Sequence, residues 1–240
     1  MLMAPARRLR LALAEEVVQL NAGDAPIRVL DAGCGDGALS LSLAKRHRRW
    51  TLVGVDRRED LLATARARAR ARGLGNASFV QADLTTPLSD AGFGVVLAIE
   101  CLSEIPDDRA ALRTLADALL PGGLFVGHVP DSSWRAILPG SPSTWREQVR
   151  QGYTAREIAD AVRAAGLDDV EVMPTYRTTA AVAQEVRDRI KHRRLSIRVA
   201  AFPAFVAAAR LERWGVTGGR PNALLVVARR PRAPTHAVGA

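Results

Sequence analysis

Short apolar runs recur through the first half of this chain with helix-like stretches between them, and that alternation restricts the folds open to it. "IRVLDA" (27–32), "TLVGVD" (51–56), "ASFVQAD" (77–83), "GVVLAIE" (94–100) and "LFVGHV" (124–129) have the length and composition of strands. Several are apolar on both faces, as parallel strands covered by helices on each side are. Residues 37–48, 59–72 and 107–119 suit the intervening helices. The last of these, "DDRAALRTLADAL", opens on an aspartate pair suited to capping and stops before "LPGG". "LSLSL" at 39–43 has a strand-like period of two. It nevertheless follows a glycine turn and precedes "AKR", so a helix is expected there. Strands alternating with helices form βαβ units, and these imply a three-layer α/β domain around a parallel sheet.

After residue 150 the pattern changes. "YTAREIADAVRAAGL" (153–167) places Ile158, Val162 and Ala165 on one helical face and stops at Gly166; "DVEVM" and "ALLVVARR" (223–230) read as further strands. The segment between them, Pro174 to Pro221, reads as largely helical. The expected organisation is an N-terminal helical cap (1–24), a core (25–174), a basic helical insert (175–221), a last core strand (222–230) and a disordered tail (231–240).

Charge sharpens the view of the insert. The 240-residue chain carries a formal net charge of +9, and residues 175–220 hold ten Arg and Lys against Glu185, Asp188 and Glu212, so +7 of the excess is local. Three readings fit: a lid whose arginines face water, a patch for anionic lipid with Phe202, Phe205 and Trp214 inserted, or an RNA surface. RNA ranks last, because few aromatics are present to stack bases. Alternating arginines in "TARARARARGL" (64–74) decorate a solvated helix. No apolar run approaches the ~20 residues that span a bilayer, and Glu15 and Glu16 interrupt the N-terminal leucines where a secretory signal would need an apolar core. Cys34 and Cys101 sit in segments that read as buried, which argues against a disulfide framework and fits a reducing, cytoplasmic setting.

The turn after the first strand, Asp31-Ala-Gly-Cys-Gly-Asp-Gly-Ala38, carries the strongest chemical signal. In open α/β sheets ligands bind beyond the carboxyl ends of the strands. Residues without side chains there let a ligand approach the main chain, beside unpaired N–H groups of the next helix. Gly33-x-Gly35-x-x-Ala38 also satisfies a dinucleotide pattern, and an ordinary strand-to-helix turn has the same look. Asp56 closes the second strand, placed to accept both hydroxyls of a ribose. Asp83 closes the third, where it is suited to an adenine amino group or to capping the turn in "ADLTTPL". Leu84 is placed to pack on a ring.

With "VLDAGCGDG", "VGVD" and its downstream "LL", "QADL", "VVLAIECLSEIPD", "LLPGGLFV" and "YTAREIADAVRAAGLDDVEV" in order over residues 25–174, the chain resembles the class I S-adenosylmethionine-dependent methyltransferases. The resemblance implies a Rossmann-like αβα sandwich with a seven-stranded, mostly parallel sheet, an antiparallel last strand and a helical insert before it. It implies S-adenosyl-L-methionine as cofactor and S-adenosyl-L-homocysteine as product. Carried over, the cofactor residues are Asp31, Gly33, Cys34, Gly35 and Gly37, then Asp56 and Arg57, then Asp83 and Leu84, with Glu100 beside the methionine moiety. The chain departs from the pattern in having Gly94 where many relatives have an acid, and in the length of the late insert.

A small-molecule acceptor with an apolar portion, such as a biosynthetic intermediate, is the expected substrate, methylated on oxygen by in-line displacement. Glu100, Glu104 and His128 are the candidate bases. His128 equally suits a satisfied core histidine, and Glu104 a helix cap. Tyr153 either lines the pocket or precedes its helix as a staple. "AIEC" lacks the Asn/Asp-Pro-Pro-aromatic motif of nucleobase amino methylation, and no His or Cys spacing suits a metal. Two other functions share the glycine turn: a nicotinamide oxidoreductase, and a non-catalytic cofactor-binding or membrane-docked protein.

Overall fold

The computed structural model describes residues 5–22, 25–139, 148–175 and 221–232, together with Val182, Glu185, Val186 and Arg189. In chain order the elements are α1 (Pro5–Ala22), β1 (Arg28–Ala32), α2 (Ala38–Arg46), β2 (Thr51–Asp56), α3 (Glu59–Ala71), β3 (Ala77–Gln81), β4 (Phe93–Ile99), α4 (Asp108–Ala118), β5 (Leu119–Pro130), α5 (Ala155–Ala164), β6 (Asp168–Thr175) and β7 (Ala223–Arg229). They build one seven-stranded sheet in the order β3-β2-β1-β4-β5-β7-β6. The first five strands run parallel, and β7 runs antiparallel to both β5 and β6. Strand order reverses between β1 and β4, and a crevice opens at their carboxyl ends, where such folds bind ligands.

Successive residues of one strand point to opposite faces, which is why the central runs are apolar throughout. Leu30, Val96 and Phe125 pack under Leu112 and Leu115 of α4 and Ile158 and Val162 of α5. Their neighbours Val29, Leu97 and Val126 pack on the other face with Leu41 of α2, Leu62 of α3 and Val18 of α1. The N-terminal helix therefore lies in the α2/α3 layer. Glu15 fastens it there through His47 Nε2 at 3.0 Å and through Arg46, and His47 stacks on the buried Trp50.

The period-of-two stretch folds as helix: Leu41 and Leu43 of α2 are buried in the core, while Leu39 reaches the crevice. At "LPGG" the helix stops as expected, yet the chain passes from α4 directly into β5 and not into a separate turn. Leu119 pairs with Phe93, and the register shifts before Val95 pairs with Leu124. Gly122, with φ 77°, lets the chain bend inside this strand. α5 opens on a capping box in which Thr154 and Glu157 each bond the other's backbone N–H.

The lid, lipid and RNA readings of 175–221 fall outside the described residues, apart from Thr175, Glu185 and its three described companions, and Pro221. The tail expectation lies outside them beyond Arg232. Glu185 is buried and accepts from Ile137 N at 2.9 Å and Leu138 N at 2.8 Å, and Arg189 donates to Pro139 O. Two insert residues are thereby fixed to the loop that follows β5.

Candidate active site

From Ala32 the chain turns through Gly33–Gly37 into α2, and Cys34 N donates to Val55 O at 3.0 Å, tying the turn to β2. The three glycines have different reasons to be bare. A Cβ on Gly33 would lie 2.4 Å from Cys101 Cβ, and one on Gly37 would lie 2.8 Å from Ala65 Cβ and Phe79 Cε1, so the protein's own packing excludes side chains at both. Gly35 has φ +54°, and a Cβ there would meet only Leu61 Cδ1 at 3.8 Å. The space beside Gly35 belongs to the cavity.

That cavity encloses about 730 Å³ over the carboxyl ends of β1, β2 and β4 and the loop after β3. It brings together Asp31, Gly33, Cys34, Gly35, Asp56, Arg57, Asp83, Leu84, Glu100 and Glu104 of the residues expected from sequence; Gly37 and His128 are not on its wall. Leu39, Leu61, Ile99, Ile105 and Pro106 supply apolar wall that the sequence reading did not name. The apolar positions of α2 and α3 were visible, but which of them face the crevice depends on how each helix is rotated. Asp31, Asp56, Asp83, Glu100, Glu104 and Asp107 face Arg57 and Arg58 here, so an acidic cavity sits in a basic chain.

The carboxylates have distinct surroundings. Asp31 is buried, and its Oδ2 accepts from Ser40 Oγ at 2.5 Å and Ser40 N at 3.2 Å, which anchors α2 above the glycine turn. Asp56 accepts from Gly35 N at 2.8 Å on Oδ2 and from Arg58 N at 2.9 Å on Oδ1, leaving lone pairs on each oxygen for a ligand. Asp83 accepts on Oδ1 from both Thr85 N and Thr85 Oγ1 at 2.8 Å, bonds that hold its carboxyl below the usual range.

Glu100 follows β4 with φ 64°, a left-handed conformation that costs about 1–3 kcal/mol for a residue with a side chain. Two bonds to one residue hold it: Glu100 N donates to His128 O at 2.8 Å, and Oε1 lies 2.5 Å from His128 Nδ1. His128 is 1% exposed, stands behind Glu100, and places Nε2 3.1 Å from Thr175 Oγ1. Glu104 ends a single 3-10 turn over Leu102–Glu104 and reaches the cavity.

Tyr153 lies away from the cavity. Its buried hydroxyl donates to Asp108 Oδ2 at 2.7 Å, Arg150 covers its ring, and burial pushes the hydroxyl far above its ordinary titration range. Cys34 and Cys101 are free and buried, and desolvation raises both thiols so far that they stay protonated. Among the described residues no three His, Cys, Asp or Glu side chains are grouped to hold a metal ion, and no helix is long and apolar enough to cross a membrane.

A family model described as a methyltransferase domain matches residues 29–123. The chain is 31% identical over 151 residues to the trans-aconitate 2-methyltransferase of Rhodopseudomonas palustris, covering 60% of this chain and 55% of that protein. It is 30% identical over 197 residues to the ubiquinone biosynthesis O-methyltransferase of Marinobacter nauticus, covering 75% of this chain and 79% of the relative. The solved structure of the cyclase SpnF superposes with a TM-score of 0.69 at 22% identity, over 95% of this chain and 84% of that one, a likeness of fold alone.

The sheet order and the crevice thus define a Rossmann-like methyltransferase fold. The chain belongs to the class I S-adenosylmethionine-dependent methyltransferases, and S-adenosyl-L-methionine is the cofactor of that family. The chain spans about half the length of the first of these relatives. Membership does not favour the nicotinamide oxidoreductase reading.

The cavity suits that cofactor on its own terms. Its volume lies within the ~300–1,000 Å³ typical of small-ligand sites. Its acidic wall suits a ligand bearing a sulfonium and an ammonium, and the bare face of Gly35 leaves room against the main chain.

Proposed function

We propose that this chain methylates an oxygen of a small molecule with S-adenosyl-L-methionine as donor. One observation carries the reading: Gly35, Asp56, Asp83 and Glu100, from four separate segments, meet around a single cavity. Asp56 would receive the ribose hydroxyls, the second oxygen of Asp83 the adenine amino group, and Leu84 the face of the ring. The N–H groups at the start of α2 suit the methionine carboxylate. Asp31 acts from below, keeping α2 and the turn in place through Ser40.

The bound cofactor supplies an electrophilic methyl group on a positively charged sulfur. The chain supplies position: aligned reactants alone lower a barrier by up to ~7–11 kcal/mol. Ile99, Ile105 and Pro106 give the same cavity an apolar stretch of wall. Glu100, at its wall, takes the proton of the acceptor hydroxyl, with Glu104 as a second carboxylate in reach of the cavity. An acidic wall disfavours a polyanionic acceptor and favours a neutral one with apolar surface.

Calorimetry with S-adenosyl-L-homocysteine, followed by transfer of labelled methyl from the cofactor into a small-molecule extract of the host, tests the reading. Saturable binding and a labelled O-methyl product are expected. Absence of binding overturns it; binding without any transfer leaves the non-catalytic cofactor-binding protein; and label on nitrogen overturns the assignment to oxygen.

A further inference from the structure

Glu100 and His128 are joined twice, once through the backbone and once through their side chains, and the join continues to Thr175 at the end of β6. We infer that His128 is a positioning residue which, backed by Thr175, fixes the Glu100 carboxylate as the group that takes the acceptor's proton. The inference rests on the methyltransferase reading and deepens it.

The chemistry of the three groups sets the direction of the chain. An ionised carboxylate only accepts, so the proton between Glu100 Oε1 and His128 belongs to Nδ1. In a ring carrying that one proton, Nε2 is an acceptor and takes the Thr175 O–H. This arrangement explains an imidazole in a strand otherwise packed with apolar groups. Ile99 of β4 and Leu225 of β7 stand opposite His128 in the sheet, and a buried ring with an unbonded nitrogen would be costly there.

The order of groups is the reverse of a hydrolase triad: the carboxylate stands at the cavity and the hydroxyl at the rear. Glu100 needs such support because its left-handed backbone, at φ 64°, is not one it would hold unaided. With Oε1 held by His128, the carboxyl group cannot rotate away from the wall it lines. When the acceptor oxygen bonds to the methyl carbon, the C–S electron pair stays on sulfur and the acceptor's O–H proton passes to Glu100. Oε1 can still accept from Nδ1–H in the protonated acid, so the support survives the step, and the proton afterwards leaves to water.

Nitrogen-15 NMR of the histidine-labelled full chain reads the arrangement directly. The wild type is expected to show His128 as the neutral Nδ1–H tautomer. Thr175→Val is expected to shift Nε2 alone, and Glu100→Ala to move the ring toward the Nε2–H form. Methyl transfer into host extract by His128→Ala is expected to fall by about 10²-fold, the cost of a displaced reacting group, with affinity for S-adenosyl-L-homocysteine unchanged. His128→Asn, which keeps a donor where Nδ1 stands, is expected to recover most of the rate.

An Nε2–H tautomer in the wild type, or transfer by His128→Ala at the wild-type rate, overturns the inference. Homocysteine-cofactor binding by the wild type separates the two levels. Without it the methyltransferase reading itself fails; with it and the wrong tautomer, only the role of His128 does.

Discussion

Changing Asp56 to asparagine replaces one carboxylate oxygen with an amino group and tests the whole cofactor wall. In the native chain each carboxylate oxygen accepts one backbone donor, Gly35 N at 2.8 Å and Arg58 N at 2.9 Å. Asparagine offers one oxygen and one amino group, so one of those donors must face another donor. The ribose hydroxyl on that side loses its acceptor as well, and the other keeps only a neutral one. Hydrogen bonds to charged groups contribute about 1.5–3 kcal/mol and neutral ones about 1 kcal/mol. The net loss in cofactor affinity is therefore about 2–3 kcal/mol, or roughly 30–150-fold in Kd. Calorimetry with S-adenosyl-L-homocysteine measures it, with a melting curve to show that the variant remains folded. A folded Asp56→Asn protein that binds within about threefold of wild type, equivalent to ~0.7 kcal/mol, would refute the reasoning.

The glycines of the turn should separate cleanly. Gly33→Ala forces a Cβ to within 2.4 Å of Cys101 Cβ at φ +67° and is expected to lower stability by about 2–5 kcal/mol in denaturant melts. Gly35→Ala meets no clash and is expected to cost only ~1–2 kcal/mol of stability while abolishing cofactor binding in calorimetry. Glu157→Gln keeps an acceptor for Thr154 N but cannot titrate. Because the capping box lowers the Glu157 pKa, its stabilisation is complete above the ordinary carboxylate range and is lost as pH falls through the lowered value. The gap in melting temperature between wild type and Glu157→Gln should be full near neutrality and close in acid. Tyr153→Phe leaves Asp108 paired with Arg150 at 2.8 Å, so a loss of ~1–2 kcal/mol in stability is expected with cofactor affinity intact. Lost binding in that variant would return Tyr153 to the site.

The sheet was legible because buried parallel strands leave continuous apolar runs and glycine marks where they turn. Thus "TLVGVD" appears as β2 with the expected ends, and "LSLSL" folds as helix because its flanks outweigh its period. Of the acids, Asp56 ends β2 as expected, whereas Asp83 does not close β3 but lies two residues beyond its end at Gln81, and Glu100 lies one residue beyond β4, because backbone pairing stops before the chain turns. Partnerships across the sheet were not. Nothing in the chain marks Ser40 as the partner of Asp31, or sets Thr175 behind His128, because residues 47 positions apart meet only once β6 has paired with β7. The glycines were legible only in part. Gly33 lines the cavity as expected, yet it and Gly37 are also bare for Cys101, Ala65 and Phe79, contacts that depend on distant segments, and Gly37 is not on the cavity wall.

A crystal structure of the chain with S-adenosyl-L-homocysteine tests the central claim most directly. The nucleoside should lie along Gly35, with its ribose hydroxyls on Asp56 and its adenine amino group at Asp83. A nucleoside bound elsewhere, or seated in this cavity with Asp56 turned away from the ribose, would contradict the account.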